Sequence, residues 1–171
     1  MQAASHLNVF NVRSTDTHVL EAPEMQAIRK IVAEHVDQYA RKLISGDPKH
    51  VFYVTQSWVN YTRMGQSHHR HMHSNSLISG VLYVQAKKEV DGISFYRNSA
   101  PEILVSTEQP NWYNAPSWFF SVGTGDLVLF PSSLSHAVEQ STGEHTRISL
   151  AFNAFVRGEI GSEERLNSLR V

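Results

Sequence analysis

The chain is 171 residues long, 41% hydrophobic and 18% charged, with a formal net charge of -1. This length suits one domain with its own core, and the near-neutral balance excludes the basic excess that marks nucleic-acid or membrane-surface proteins. Absence of cysteine removes disulfides, thiolate nucleophiles, zinc–cysteine sites and iron–sulfur clusters, so any metal must sit on nitrogen and oxygen ligands. No apolar run is long enough to span a bilayer. The opening residues MQAASHLNVFNVRSTD show no basic segment followed by an apolar stretch, so no signal peptide and a cytoplasmic location are expected.

In chain order, Leu7 to Arg13 alternates weakly and predicts a short strand. Pro23 then opens a helix to about Leu43, with apolar positions Met25, Ile28, Val32, Val36, Tyr39 and Leu43 at steps of three and four. Such a one-sided helix should pack on something flat. Strands follow at Val51–Tyr61, Leu77–Val84, Gly92–Tyr96, Trp118–Val122, Asp126–Phe130, His136–Glu139 and Thr146–Val156, separated by Gly, Asp and Pro turn signals. Short strands at this spacing predict an all-β sandwich or barrel. The tail GSEERLNSLR predicts a short helix with Ser162 as N-cap. The expected organisation is a single domain, 1–171: an N-terminal strand and helix (1–50), a jelly-roll core (51–156) and a C-terminal helix and tail (157–171). The N-terminal strand and helix suit a homodimer interface as well as they suit a cover for the barrel.

Arg97 to Ser117 resists a strand reading, with three prolines beside Trp112 and Tyr113. A long irregular loop in a compact domain is often a lid or binding loop. Trp112 and Tyr113 are therefore candidate substrate-enclosing residues; the plainer role is a surface flap over the core edge.

Of ten histidines, four fall within the six positions 68–73: His68, His69, His71 and His73. Side chains at i and i+2 of an extended strand share a face, so His71 and His73 can reach one metal. His69 shares their parity. Neutral imidazole suits iron, zinc, copper or nickel; the competing reading is a solvated polar loop. In GDLVLFPSSLSHAVEQ, His136 opens another strand, and a jelly roll brings distant strands together, so it is a candidate third ligand. Arg147, Ser149, Ala151 and Asn153 then share one strand face, opposite Ile148, Leu150 and Phe152. Arginine, serine and asparagine inside a barrel are costly unless they bind an anion or one another, and arginine matches a carboxylate bidentately. A surface ion pair is the alternative for Arg147.

HMHSNSLISGVLYV, GDLVLFPSSLSHAV and RISLAFN together resemble a bacterial and phage group of iron(II)/2-oxoglutarate-dependent oxygenases. The resemblance covers about Trp58 to Phe155. It implies a double-stranded β-helix and an enzyme using Fe(II) and 2-oxoglutarate, with hydroxylation of a C–H bond in a small-molecule or peptide substrate as the default reaction. Carried onto this chain, it makes His71 and His136 metal ligands. Arg147 takes the far carboxylate of 2-oxoglutarate, Ser149 assists it, and Tyr83 and Tyr61 stand where relatives offer a hydroxyl to that carboxylate. Packing in an amphipathic core is the alternative for both tyrosines. The chain departs from the family pattern in one respect: the usual carboxylate ligand is missing and His73 stands in its place, with Asp91, Glu139 and Asp126 as the alternative carboxylates from elsewhere in the chain. Two rival readings remain, a cupin-type dioxygenase or isomerase that needs no 2-oxoglutarate, and a non-enzymatic metal-stabilised binding module.

Overall fold

The computed structural model describes residues 3–4, 11–97 and 108–171. Eight strands carry the core: β3 (Val51–Thr62), β4 (His68–His71), β5 (Ile78–Gln85), β6 (Gly92–Tyr96), β7 (Ser117–Ser121), β8 (Leu127–Pro131), β9 (His136–Val138) and β10 (Arg147–Arg157). They divide between two antiparallel sheets. The larger runs β1-β2-β3-β10-β5-β8, with β1 (Ala3–Ala4) and β2 (Val12–Ser14) at its edge, and the smaller runs β4-β9-β6-β7. The chain crosses repeatedly from one sheet to the other, as a jelly roll requires.

Helix α1 (Gln26–Leu43) follows a single 3-10 turn at Pro23–Met25, where proline costs no hydrogen bond. It buries Val32, Val36 and Ala40 against Val59, Ile78, Leu150, Phe152 and Ala154 of the larger sheet, with Ile28 and Tyr39 at the margin. Leu43, expected in the apolar stripe, is 69% exposed. Ala40, four residues after Val36, takes the last core-facing place before the helix ends.

Period-two alternation sorts the central strands. Leu150, Phe152 and Ala154 of β10 join the helix-side cluster. Register puts Arg147 opposite Thr62, Ser149 opposite Asn60 and Tyr83, and Ala151 opposite Trp58 and Val81. Those residues face the other way, toward the smaller sheet. Between the sheets a second cluster gathers Tyr83, Ala86, Ile93, Val122 and Phe130. Gly80 lies opposite Phe152. A Cβ there would fall 2.2 Å from the Phe152 ring and 2.7 Å from Leu129, so close packing, not a turn, demands glycine.

Two expectations are corrected. The C-terminal tail is not a helix but a small hairpin, β11 (Glu159–Ile160) paired with β12 (Leu169–Arg170) around the 3-10 turn Glu163–Arg165. Ser162 does accept from the Arg165 N–H. The turn stops there because Leu166 enters the left-handed region at φ 55° and is 94% exposed, leaving no apolar face to pack. Most of the expected strand Leu7–Arg13 lies outside the described residues, which omit 5–10, while its last two residues, Val12 and Arg13, belong to β2 (Val12–Ser14). The histidine segment forms a strand of its own, His68–His71, which the sequence reading placed between strands. Within Arg97–Ser117, positions 98–107 lie outside the described residues. Among the described residues no helix is long and apolar enough to cross a membrane.

Candidate metal centre

His71 and His136 face each other across the β4–β9 pairing. His73 lies two residues past the end of β4, where its N–H donates to the Ser132 carbonyl at 3.0 Å. Each of the three imidazoles offers a nitrogen within 4.8 Å of the others. Ring centroids are 4.3 Å apart for His71–His136, 5.0 Å for His71–His73 and 5.2 Å for His73–His136.

Two rings are oriented by their own strands. His71 Nδ1 is 2.7 Å from the His69 carbonyl, and His136 Nδ1 is 3.0 Å from the Leu134 carbonyl. A carbonyl oxygen only accepts, so Nδ1 carries the proton and Nε2 presents its lone pair, the arrangement found around ligating histidines. Phe130 meets the His136 ring edge-on at 4.7 Å, and Phe95 lies tilted at 6.2 Å. Burial, then the charge of neighbouring imidazoles, pushes the pKa of His73 and of His136 down to about 4. Burial likewise lowers His71, opposed by its bond to the His69 carbonyl. All three are therefore neutral near pH 7, the state a metal requires.

His68, not His69, stacks face to face on His71, at 4.3 Å and 24°. The β4–β9 register shifts between His68 and His71, and that irregularity breaks the simple parity argument. None of the carboxylates considered from sequence reaches the triad. Asp91 accepts from His145 Nε2 at 2.6 Å and from the Lys87 N–H at 2.8 Å. Glu139 accepts from the Tyr96 hydroxyl at 3.0 Å, and Asp126 from the Gly123 N–H at 2.8 Å. Among the described residues, the cluster around His136 holds histidines alone.

A pocket runs inward from the triad between the sheets. Tyr83, Arg147, Ser149, Asn60 and Ser79 line it together with the three imidazoles. Arg147 is 4% exposed. Its Nη2 donates to Thr62 Oγ1 at 3.0 Å, Nη1 lies 4.0 Å from Asp91 Oδ1, and its buried Nε–H has no partner. Burial lowers its pKa, against the pull of Tyr83 and Asp91. Burial also raises the Tyr83 hydroxyl above its ordinary range, so it remains a donor.

Tyr61 does not join this pocket. It sits one residue out of phase with Asn60 and Thr62 and packs on the helix side. Thr62 holds the place that Tyr61 was expected to fill, and parity along β3 was the signal for it. Sequence reasoning also missed Asn60 and the Asp91–His145 pair, whose contact spans 54 positions. Trp112 stacks on Trp118 at 4.1 Å, in a groove on the far side of Phe95 and Phe130 from the imidazoles. Tyr113 is 89% exposed.

The neutral imidazole set fits a divalent metal with nitrogen preference. The unsatisfied donor on Arg147, buried in the same pocket, fits an anion. Residues 56–153 match a family described as "Putative 2OG-Fe(II) oxygenase". No curated protein matches the chain in sequence. In structure it is similar to an oxidoreductase of the 2OG-Fe(II) oxygenase family from Burkholderia pseudomallei (10% identity, 90% of this chain and 71% of that one, TM-score 0.63). HygX from Streptomyces hygroscopicus, solved with nickel and 2-oxoglutarate bound, is similar too (12% identity, 90% and 73%, TM-score 0.62). So is a Pseudomonas putida prolyl-4-hydroxylase (13% identity, 89% and 77%, TM-score 0.59). At such identities the structures speak for the fold, and the family match, spanning more than half of the chain, speaks for the chemistry: the chain belongs to the 2OG-Fe(II) oxygenases, Fe(II)- and 2-oxoglutarate-dependent enzymes built on a double-stranded β-helix.

Proposed function

We propose that this oxygenase holds Fe(II) on His71, His73 and His136, anchors the far carboxylate of 2-oxoglutarate on Arg147, and hydroxylates a C–H bond of a small-molecule or peptide substrate. One observation carries the assignment. Three neutral imidazoles converge at one end of a pocket that also holds a buried arginine with an unused N–H. Among similar structures, HygX has also been solved with hygromycin B bound beside nickel and 2-oxoglutarate, which supports a small-molecule substrate here. The family match removes the ground for the cupin and binding-module readings.

When bound, Fe(II) and 2-oxoglutarate supply oxygen activation, with the co-substrate losing CO2 and becoming succinate as the substrate C–H bond is oxidised. The protein's residues prepare the place. His71 and His136 hold their Nε2 lone pairs inward because backbone carbonyls fix the Nδ1 protons. Arg147 pairs with the far carboxylate through its free Nε–H, while Thr62 accepts from Nη2 and steadies the guanidinium. Ser149 and Tyr83, adjacent across the β10–β5 register, donate hydroxyls to the same carboxylate. Phe95 and Phe130 exclude water from the His136 side.

Anaerobic reconstitution tests this reading. Apo protein given Fe(II) and then titrated with 2-oxoglutarate should develop the visible metal-to-ligand charge-transfer band of the chelate. His136→Ala should abolish the band. Arg147→Ala should raise the 2-oxoglutarate concentration required by about 10- to 100-fold, the worth of a lost charge-assisted bond. Iron binding without a band would sink the co-substrate assignment.

A further inference from the structure

Two further pockets border the metal centre, and they differ in chemistry. The aromatic groove of Trp112, Trp118 and Phe120, ≈ 430 Å³, has no histidine in its wall, because Phe95 and Phe130 stand between it and His136. The other pocket, ≈ 310 Å³, has His71 and His73 themselves in its wall. A molecule must approach the metal to have its C–H bond oxidised, and only the second pocket gives it contact with candidate ligands.

The rest of that wall is set by strand register. Arg13 of β2 pairs with Asn60, and Gln56 pairs with Asn153, so these residues share the face that carries Trp58, Ser149 and Arg147. Arg13, Gln56, Trp58 and Asn153 thus ring the mouth opposite the histidines. Among the described residues Arg13 forms no ion pair, and no carboxylate lines the pocket. A dication held by three neutral imidazoles also keeps the charge that a ligating carboxylate would offset, which adds to the positive potential at the mouth. Its volume lies at the small end of ligand sites.

Resting on the metal-site assignment above, we propose that this mouth is the substrate subsite and that it selects a small polar molecule bearing a carboxylate. Arg13 pairs with the carboxylate, Gln56 and Asn153 supply amide hydrogen bonds, and Trp58 offers a flat wall. The same carboxylate chemistry belongs to a free amino acid and to a peptide C-terminus.

The test uses the anaerobic enzyme loaded with Fe(II) and 2-oxoglutarate, once the charge-transfer band has formed. Probes are the standard L-amino acids and glycyl dipeptides, each beside its C-terminal amide, read by titration calorimetry and by displacement of the band. Acids should bind, and their amides should bind about 10- to 100-fold more weakly. Arg13→Gln should bring the acid down to the level of its amide and leave the amide's own affinity unchanged, while Arg13→Lys retains most of the preference. Binding in the amino-acid arm alone identifies a free metabolite, and binding in the dipeptide arm a peptide end. Equal binding of acid and amide, equal weakening of both by Arg13→Gln, or no acid binding to an enzyme that shows the band would each overturn the proposal. So would binding lost in Trp112→Ala but kept in Arg13→Gln, which would move the substrate to the aromatic groove. Failure to form the band at all defeats the metal-site assignment first, and this inference with it.

Discussion

Asp91→Asn probes the charge balance around Arg147. The Asp91 side chain is fully buried, one oxygen is engaged by His145 and Lys87, and the other lies 4.0 Å from Arg147 Nη1 without a hydrogen-bond donor. Two unit charges at that distance attract by about 4 kcal/mol at an effective dielectric near 20. The amide keeps shape and its acceptor toward Lys87, so the net cost to the co-substrate-free protein should be about 2–3 kcal/mol. For a chain of this size that corresponds to roughly 5–10 °C in Tm. The far carboxylate of 2-oxoglutarate would then supply the anion that Arg147 has lost, without Asp91 to repel it. Calorimetric unfolding under argon, with Fe(II) and rising 2-oxoglutarate, should show the gap between wild type and variant closing by at least about 3 °C, the effect of a tenfold gain in affinity. A gap that stays constant or widens would refute the view that Asp91 and the co-substrate share one guanidinium. Equal Tm values without co-substrate would refute the electrostatic coupling altogether.

Gly80→Ala should destabilise the protein by about 1–3 kcal/mol through overpacking against Phe152, measured by denaturant midpoint; an unchanged midpoint would show that the ring has room to move. In chelator-treated protein, the unfolded state takes up protons near pH 6.5, whereas His73 and His136 resist until about 4 and His68 until about 3. Stability should therefore be full above pH 7 and fall steadily between about 6.5 and 4; a flat Tm profile across that window would contradict neutral burial of the imidazoles. His73→Asp should tighten Fe(II) binding and lower the iron potential, because a carboxylate replaces a neutral ligand; electrochemistry showing no shift would mean that His73 does not ligate.

Much of this site was legible because its grammar is local. A proline before a 3.6-period stripe placed α1, and strict alternation along β10 separated Arg147 and Ser149 from Leu150 and Phe152. His71 and His136 were legible as types at a spacing, although their pairing across β4 and β9 needed the topology. The expectation that failed was carried over from the family resemblance without the strand register to fix its phase. Tyr61 and Thr62 are equally good strand residues, and only the register opposite Arg147 shows which one points inward. At β4 a register irregularity stacks His68 on His71, although it is His69 that shares the parity of His71. The Asp91–His145 contact joins two turn-flanking segments, and no periodicity connects them.

The three imidazoles are not held alike, and this bears on how the missing carboxylate is tolerated. His71 and His136 each bond the carbonyl two residues back along their own strand, so their orientation survives changes elsewhere in the barrel. His73 follows the end of β4, is tied by its backbone to Ser132, and rests its ring near Trp58 at 5.8 Å. The position that departs from the family pattern is thus the one whose side chain is set by packing instead of a backbone acceptor. It also adjoins the mouth where Trp58 and Arg13 stand. On the proposed assignment, a neutral, packing-held His73 ligand beside Arg13 would leave the centre more positive on its solvent side than on its Arg147–Asp91 side, where charges already offset one another. An incoming anion would then gain more at the mouth than in the interior, which is why the proposed reading gives 2-oxoglutarate a dedicated arginine inside, Arg147, and leaves the mouth to select a second carboxylate.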